Sequence, residues 1–298
     1  MPSLRAKLVN RYIRSTMKPL PLHEIPPAKL RAIFEKRLVP FKPSGVSCET
    51  VDEPVQGEWH RPKDGGANNV ILYLHGGGYV FGSARTHRSV TFPLALAANA
   101  NVFSLNYRLA PDHACPAAID DALACYQWLR ATGVEPKNIT IAGDSAGGGL
   151  ALATLQALRA NNEETPAAAI LYSPYTDLSV EGGSAKRNAE SDAMFQLRSV
   201  EMGAKHYAGA LSTKDPRVSP LYGDMRGLPP MLIFASTSEI LYDDSTRLVR
   251  RAEEEGVDVS FVARDGLVHV WPLFHPLMPE ARQAIEESAA FIQRYTHQ

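Results

Sequence analysis

The chain has 298 residues, 45% of them hydrophobic and 21% charged, enough to bury one large core with residues left over for a subdomain above it. Thirty-one Lys and Arg stand against thirty-two Asp and Glu, a formal net charge of -1, so bulk charge draws the protein neither to nucleic acid nor to an anionic bilayer, and the expected partner is a small uncharged substrate. Cys48, Cys115 and Cys125 cannot all pair and show no C-x-x-C spacing, which argues against a disulfide framework or a zinc site; the expectation is a reducing cytoplasm and no metal or cofactor.

In chain order, residues 1 to 40 open with a basic amphipathic stretch in which Arg5, Lys7, Arg11, Arg14 and Lys18 interrupt any apolar run. That excludes a signal-peptide core or a spanning helix, and no stable membrane insertion is expected. The stretch reads as a helix packing its Leu4, Leu8 and Tyr12 side on the protein, with a membrane-surface helix as the second reading. From Val46 onward, short β-prone runs alternate with helical patterns, the signature of a mostly parallel sheet of about eight strands flanked by helices. The strands expected are Val46 to Val51, Gly57 to His60, Val70 to Leu74, Val102 to Leu105, Ile139 to Ala142, Ala168 to Tyr172, Met231 to Ala235 and Val259 to Ala263. The helices expected are Ala117 to Arg130, Ala146 to Ala160, Asp243 to Glu255 and Glu280 to Tyr295. Residues 180–226 break the alternation, so they and residues 1–40 are the candidate cap over a catalytic domain of 41–179 and 227–298.

Two motifs carry chemistry. The run VILYL ends in His75-Gly76-Gly77-Gly78-Tyr79, where adjacent glycines let backbone N–H groups approach a ligand; no G-K-[ST] follows that would make it a phosphate loop. Gly143-Asp144-Ser145-Ala146-Gly147 lies between the strand NITIA and the helix AGGGLALATLQALRA, the strand-turn-helix context that presents a serine Oγ as nucleophile instead of as an ordinary helix cap. The N–H groups of Gly77, Gly78 and Ala146 are then the candidate oxyanion hole.

With HGGGY from His75, YRLAPDH from Tyr107, PAAIDDA from Pro116, GDSAGGGLA from Gly143, DPRVSPLYGDMRGLPP from Asp215 and GLVHVWPLF from Gly266, the chain resembles the hormone-sensitive-lipase-like branch of the α/β-hydrolases, the bacterial family IV esterases, over about two-thirds of its length. The resemblance implies a capped α/β-hydrolase domain, metal-independent hydrolysis of short- to medium-chain acyl esters, frequent homodimers, and oxyanion donors at Gly77, Gly78 and Ala146. Two departures stand out. Asp112-His113 replaces the usual Glu-His in a loop expected to brace the active-site floor, and the acid loop reads Glu239-Ile240-Leu241-Tyr242-Asp243 where the family has Asp-x-Leu-x-Asp.

Hydrolases of this fold run nucleophile, acid, histidine, which makes His269, on the loop after the last strand, the expected base. Glu239, on the loop after MLIFA, is the expected acid, with Asp243 as the alternative; Asp243 and Asp244 are otherwise expected to cap the N–H groups of their own helix. His75 is expected to brace its loop by hydrogen bonding. Tyr79, Tyr175, Phe195, Leu211 and Val270 are candidate substrate-binding residues, with Phe81, Met194, Met202, Tyr207 and Trp271 near the same motifs. A triad does not by itself decide whether oxygen or nitrogen leaves, so an amidase or arylformamidase is the alternative function, and a non-catalytic ligand receptor on the same fold is the more distant one. The last strand, with Val259, Phe261 and Ala263 alternating at a sheet edge, is the expected homodimer contact.

Overall fold

The computed structural model describes residues 1–36, 44–65 and 68–296; residues 37–40 of the expected N-terminal cap segment, the following 41–43, 66–67 and 297–298 lie outside the described residues. The sheet has the order β1-β2-β4-β3-β5-β6-β7-β8, with β1 (Val46–Val51), β2 (Gly57–Pro62), β3 (Val70–Leu74), β4 (Asn101–Leu105), β5 (Ile139–Asp144), β6 (Ala168–Tyr172), β7 (Met231–Ser236) and β8 (Val259–Arg264). β2 pairs antiparallel with both β1 and β4, and every other pairing is parallel. β3, β5, β6 and β7 are buried along their whole length, which is why their sequences read as continuous apolar runs.

The helices are α1 (Leu4–Thr16), α2 (Pro27–Lys36), α3 (Arg88–Ala98), α4 (Ala117–Ala131), α5 (Ala146–Ala160), α6 (Ser184–Arg187), α7 (Leu197–Ala208), α8 (Tyr242–Glu254) and α9 (Pro279–Tyr295). One core joins α4, α5 and α8 to one face of the sheet, and a second joins α1, α3 and α9 to the other. α3 has no counterpart among the helices expected above. Pro93 sits inside it, and eight of its residues, from Ser89 to Ala98, are buried on all sides, so neither composition nor period marks it.

α1 corrects the expected face. Leu4, Leu8 and Tyr12 are 74%, 60% and 66% exposed, while Ala6 and Ile13 are buried against the second core. Two small contacts are little apolar area for thirteen residues, and polar bonds supplement them. Ser3 donates its N–H and Oγ–H to the Glu280 carboxylate, Arg14 donates to the carbonyls of Glu190 and Ser191, and Lys18, just past the helix, donates to those of Ala189, Glu190 and Asp192. These bonds hold α1 and the 189–192 turn together. Lys18→Met should therefore loosen both at a cost of about 1–3 kcal/mol, seen as faster protease cleavage in residues 1–36 and around 190; unchanged cleavage would remove Lys18 from that role.

Candidate active site

The loops that follow β3, β5, β7 and β8 converge at the carboxyl end of the sheet, where parallel α/β sheets present their sites. Ser145, between β5 and α5, has φ 51° and ψ -118°, backbone angles that a residue with a Cβ adopts only under constraint. The constraint is visible: Ser145 donates its N–H to the Tyr172 carbonyl at 2.8 Å, while its own carbonyl accepts from Gly149 and Tyr175. The flanking glycines are required by contact, since a Cβ on Gly143 would overlap the Gly147 carbonyl and a Cβ on Gly147 the carbonyl oxygen of Leu74.

His269 and Glu239 meet beside it. His269 Nδ1 lies 2.8 Å from Glu239 Oε2, both side chains are buried, and Glu239 Oε1 accepts from the Ser236 N–H at 3.2 Å. The other imidazole nitrogen, His269 Nε2, is buried without a hydrogen-bond partner, and His269 as a residue lines the cavity that Ser145 also lines. Burial alone would lower the His269 pKa, but the Glu239 charge and hydrogen bond, helped by the charges of Asp192 and Asp144, reverse that and raise it.

The HGGGY loop is tied down at its start. His75 stacks on Tyr107, whose hydroxyl donates to the His75 carbonyl at 2.6 Å, and His75 Nδ1 lies 2.8 Å from the Gly76 carbonyl; burial and the His87 charge push its pKa down to about 3, so it is neutral. Gly76 donates its N–H to Asp144 Oδ1 at 3.0 Å, which also accepts from Tyr73. Asp144 in turn faces His87 at 3.4 Å, and despite the burial that disfavours charge on both, their attraction holds Asp144 below and His87 above its ordinary range. Beyond this anchor Gly77 and Gly78 take φ of +120° and +61°, open to glycine alone without strain. Among the described residues the N–H groups of Gly77, Gly78 and Ala146 have no protein acceptor.

Of the expected substrate residues, Val270 lines the larger cavity, Tyr175 the smaller, and Phe195 both. Tyr79 and Leu211 line neither of these two: Tyr79 is buried with its ring stacked 3.6 Å from Tyr207, and Leu211 packs against the same core. Asp243 and Asp244 do not cap α8, whose first turn has no side-chain cap. Asp243 accepts from Ser184 and pairs with Arg187, while Asp244 accepts the N–H groups of Thr176 and Asp177, and burial pushes its carboxyl up to about 8. Asp112 does not brace the floor either; it is exposed and pairs with Arg31 on α2 at 2.6 Å. The pattern reading missed Leu8, Val9, Ile13, Phe34 and Leu277 in the larger cavity and Leu22 in the smaller, all from segments without a motif.

An eight-stranded, mostly parallel sheet with its functional loops gathered at one end is the architecture of the α/β-hydrolases, and comparison with known proteins agrees. Residues 71–273 match the family described as alpha/beta hydrolase fold. The chain is 41% identical over 241 residues to an acetyl-hydrolase of Streptomyces hygroscopicus, covering 80% of each chain. It is 36% identical over 282 residues to an esterase of Acinetobacter venetianus, covering 94% of this chain and 93% of that one. An esterase structure from the bacterial hormone-sensitive lipase family superposes with a TM-score of 0.93 at 37% identity over 100% of both chains, and the structure of EstE5 with 0.94 at 37% over 98% and 99%. The chain belongs to the α/β-hydrolase family and, within it, is a carboxylic ester hydrolase of the hormone-sensitive-lipase-like branch, bacterial family IV.

The raised His269 pKa fixes a sign. With His269 in the expected role of base, which an imidazole fills only when neutral, kcat/KM should fall with decreasing pH through a midpoint above the ordinary 6.5, and Glu239→Gln should move that midpoint down by removing the charge that raises it. In stability the same pair counts fully below the unfolded pKa and is lost as pH rises through the folded one. An acid limb at the same pH in both proteins would detach Glu239 from the titration of His269.

Proposed function

We propose that Ser145, His269 and Glu239 carry out ester hydrolysis through an acyl-enzyme, with the N–H groups of Gly77, Gly78 and Ala146 as the oxyanion hole. The observation that supports this most is the buried Glu239–His269 pair, which leaves Nε2 without a partner on a residue that lines the same cavity as Ser145. His269 Nε2 takes the Ser145 proton, Oγ forms a bond to the ester carbonyl carbon, and the carbonyl oxygen becomes the anion held by the three N–H groups. The imidazolium, stabilised by Glu239, protonates the leaving oxygen as the C–O bond breaks. Water then repeats the sequence on the acyl-enzyme and releases the acid. The substrates are uncharged esters, and short- to medium-chain acyl groups fit the family reading.

Residues 1–40 and 180–226 serve as the cap in this reading, supported by α1 and residues 194 and 195 lining the larger cavity and α7 lining the smaller. The cytoplasm fits three cysteines that are all free, and among the described residues no helix is long and apolar enough to cross a membrane.

Ser145→Ala should abolish both ester hydrolysis and labelling by a fluorophosphonate while preserving the fold. Glu239→Gln should lower kcat by up to about 10⁴, whereas Asp243→Asn, which breaks contacts to Ser184 and Arg187, should act mainly on stability. The reverse pattern, with Glu239→Gln nearly fully active and Asp243→Asn folded but inert, would transfer the acid's role to Asp243.

A homodimer through β8 is proposed on separate grounds. β8 is an edge strand paired only with β7 among the described residues, and all six of its residues are half-buried, so its outer backbone groups are available to a second copy. Sedimentation should show a dimer that a proline at Phe261 weakens; a monomer at every concentration tested would exclude it.

A further inference from the structure

Two cavities of very different size meet at Ser145. One is a groove of about 810 Å³, and the other a pocket of about 40 Å³. Phe81 and Phe195 border both and form the partition between them. His269 lines the groove and not the pocket, while the two loop glycines straddle the boundary, Gly77 on the groove and Gly78 on the pocket. That asymmetry assigns the two halves of an ester. The oxygen that leaves must receive its proton from His269, so the alcohol lies on the side that His269 lines, the groove. The acyl chain departs from the carbonyl carbon in the other direction and enters the pocket.

We infer that the preferred substrates are short-acyl esters of large apolar alcohols, an inference that rests on the ester-hydrolase roles proposed for Ser145 and His269. Space sets the acyl limit. At about 40 Å³ the pocket has room for a short acyl chain of only a few heavy atoms beyond the carbonyl carbon. Acetyl to butyryl fit; a hexanoyl chain does not without displacing Leu22, Val200 or Met202. The groove has about twenty times that volume, and its walls are apolar side chains such as Leu8, Ile13, Phe274 and Leu277. Its two charged side chains besides His269, Asp144 and His87, are buried and paired with each other, so no free charge is left there to recognise a charged alcohol. Tyr12 and Leu277, both largely exposed at the rim, extend the apolar wall outward for a chain longer than the floor.

Mirror-image ester series test this on the full chain. Ethyl acetate, hexyl acetate and decyl acetate lengthen the alcohol; ethyl acetate, ethyl hexanoate and ethyl decanoate lengthen the acyl group. All are assayed by acid release below their aggregation concentrations. Each methylene newly buried in the groove is expected to raise kcat/KM by about three- to fourfold until the chain leaves the wall, so decyl acetate should exceed ethyl acetate by well over tenfold and ethyl decanoate by more. Met202→Ala should raise the ethyl hexanoate to ethyl acetate ratio about tenfold and leave the hexyl acetate to ethyl acetate ratio unchanged. Tyr12→Ala, at an exposed position that does not threaten folding, should lower only the decyl acetate to ethyl acetate ratio. Ethyl decanoate outperforming decyl acetate, or Met202→Ala changing the alcohol ratio in place of the acyl ratio, would overturn the assignment of the cavities while leaving the hydrolase reading intact. No cleavage of any ester in either series, by folded protein, would overturn the hydrolase reading and this inference with it.

Discussion

The close approach of three backbone segments at Ser145 sets the rest of the structure. The end of β3, the end of β5 and the first turn of α5 touch main chain to main chain, with no room for a Cβ at Gly143 or Gly147. Holding a residue such as Ser145 at φ 51° costs about 1–3 kcal/mol, and the three backbone bonds through its own N–H and carbonyl, together with the full burial of β3 and β5, over-determine the turn and offset that cost. The same contact positions the glycine loop, because the carbonyls of Leu74 and His75 that pack on Gly147 are the ones from which His75-Gly76-Gly77-Gly78 begins. Serine and glycine N–H groups are therefore placed by one packing event and not by two independent loops.

Onto this backbone the protein puts two buried pairs, Glu239 with His269 and Asp144 with His87. A buried charge without its partner is strongly destabilising, so each pair stands or falls as a unit. Their surroundings are also linked. Asp192 accepts the N–H groups of Met194, Phe195 and Ile240, and Asn188 donates to the carbonyls of Thr237 and Glu239, so the segment that borders both cavities is bonded directly to the loop that carries Glu239. A shift of that segment moves the Glu239 loop with it. The cavity wall and the Glu239–His269 pair are in this sense one structural unit.

The central strands were readable from sequence because β3, β5, β6 and β7 are short runs buried along their whole length, and the expected limits of all eight strands agree with β1 to β8 to within a residue or two. Ser145 was marked by its G-x-S-x-G turn between strand and helix, His269 by the order of loops along the sheet, and Glu239 by its loop and its register with the family motif; the structure brings Glu239 and His269 together. What stayed hidden depended on tertiary partners. α3 has no polar face because eight of its residues are buried and those exposed near its end, Leu96 and Ala97, are apolar, and its proline argues against a helix. The face of α1 was misjudged because its largest apolar residues are the exposed ones, while the small Ala6 and the single Ile13 make the packing contact. Asp243 and Asp244 look like cap residues by position, yet the 176–184 segment supplies donors that only the folded chain brings near. Tyr79 follows the glycine loop directly, but its φ of 62° belongs to a chain that turns the ring inward onto Tyr207.

The contrast between the two cavity walls follows from how each is attached. The pocket is closed by Tyr175, Val200 and Leu241, buried members of the main core, and changing its shape means repacking that core. The groove's outer wall is α1, which buries two side chains and is held otherwise by polar bonds at Ser3, Arg14 and Lys18, each individually worth about a kcal/mol or a little more. Elements with few apolar contacts open at low free energy while the core stays closed. The two walls beside Ser145 therefore differ in stiffness, the pocket's fixed by the core and the groove's outer wall free to open at lower cost.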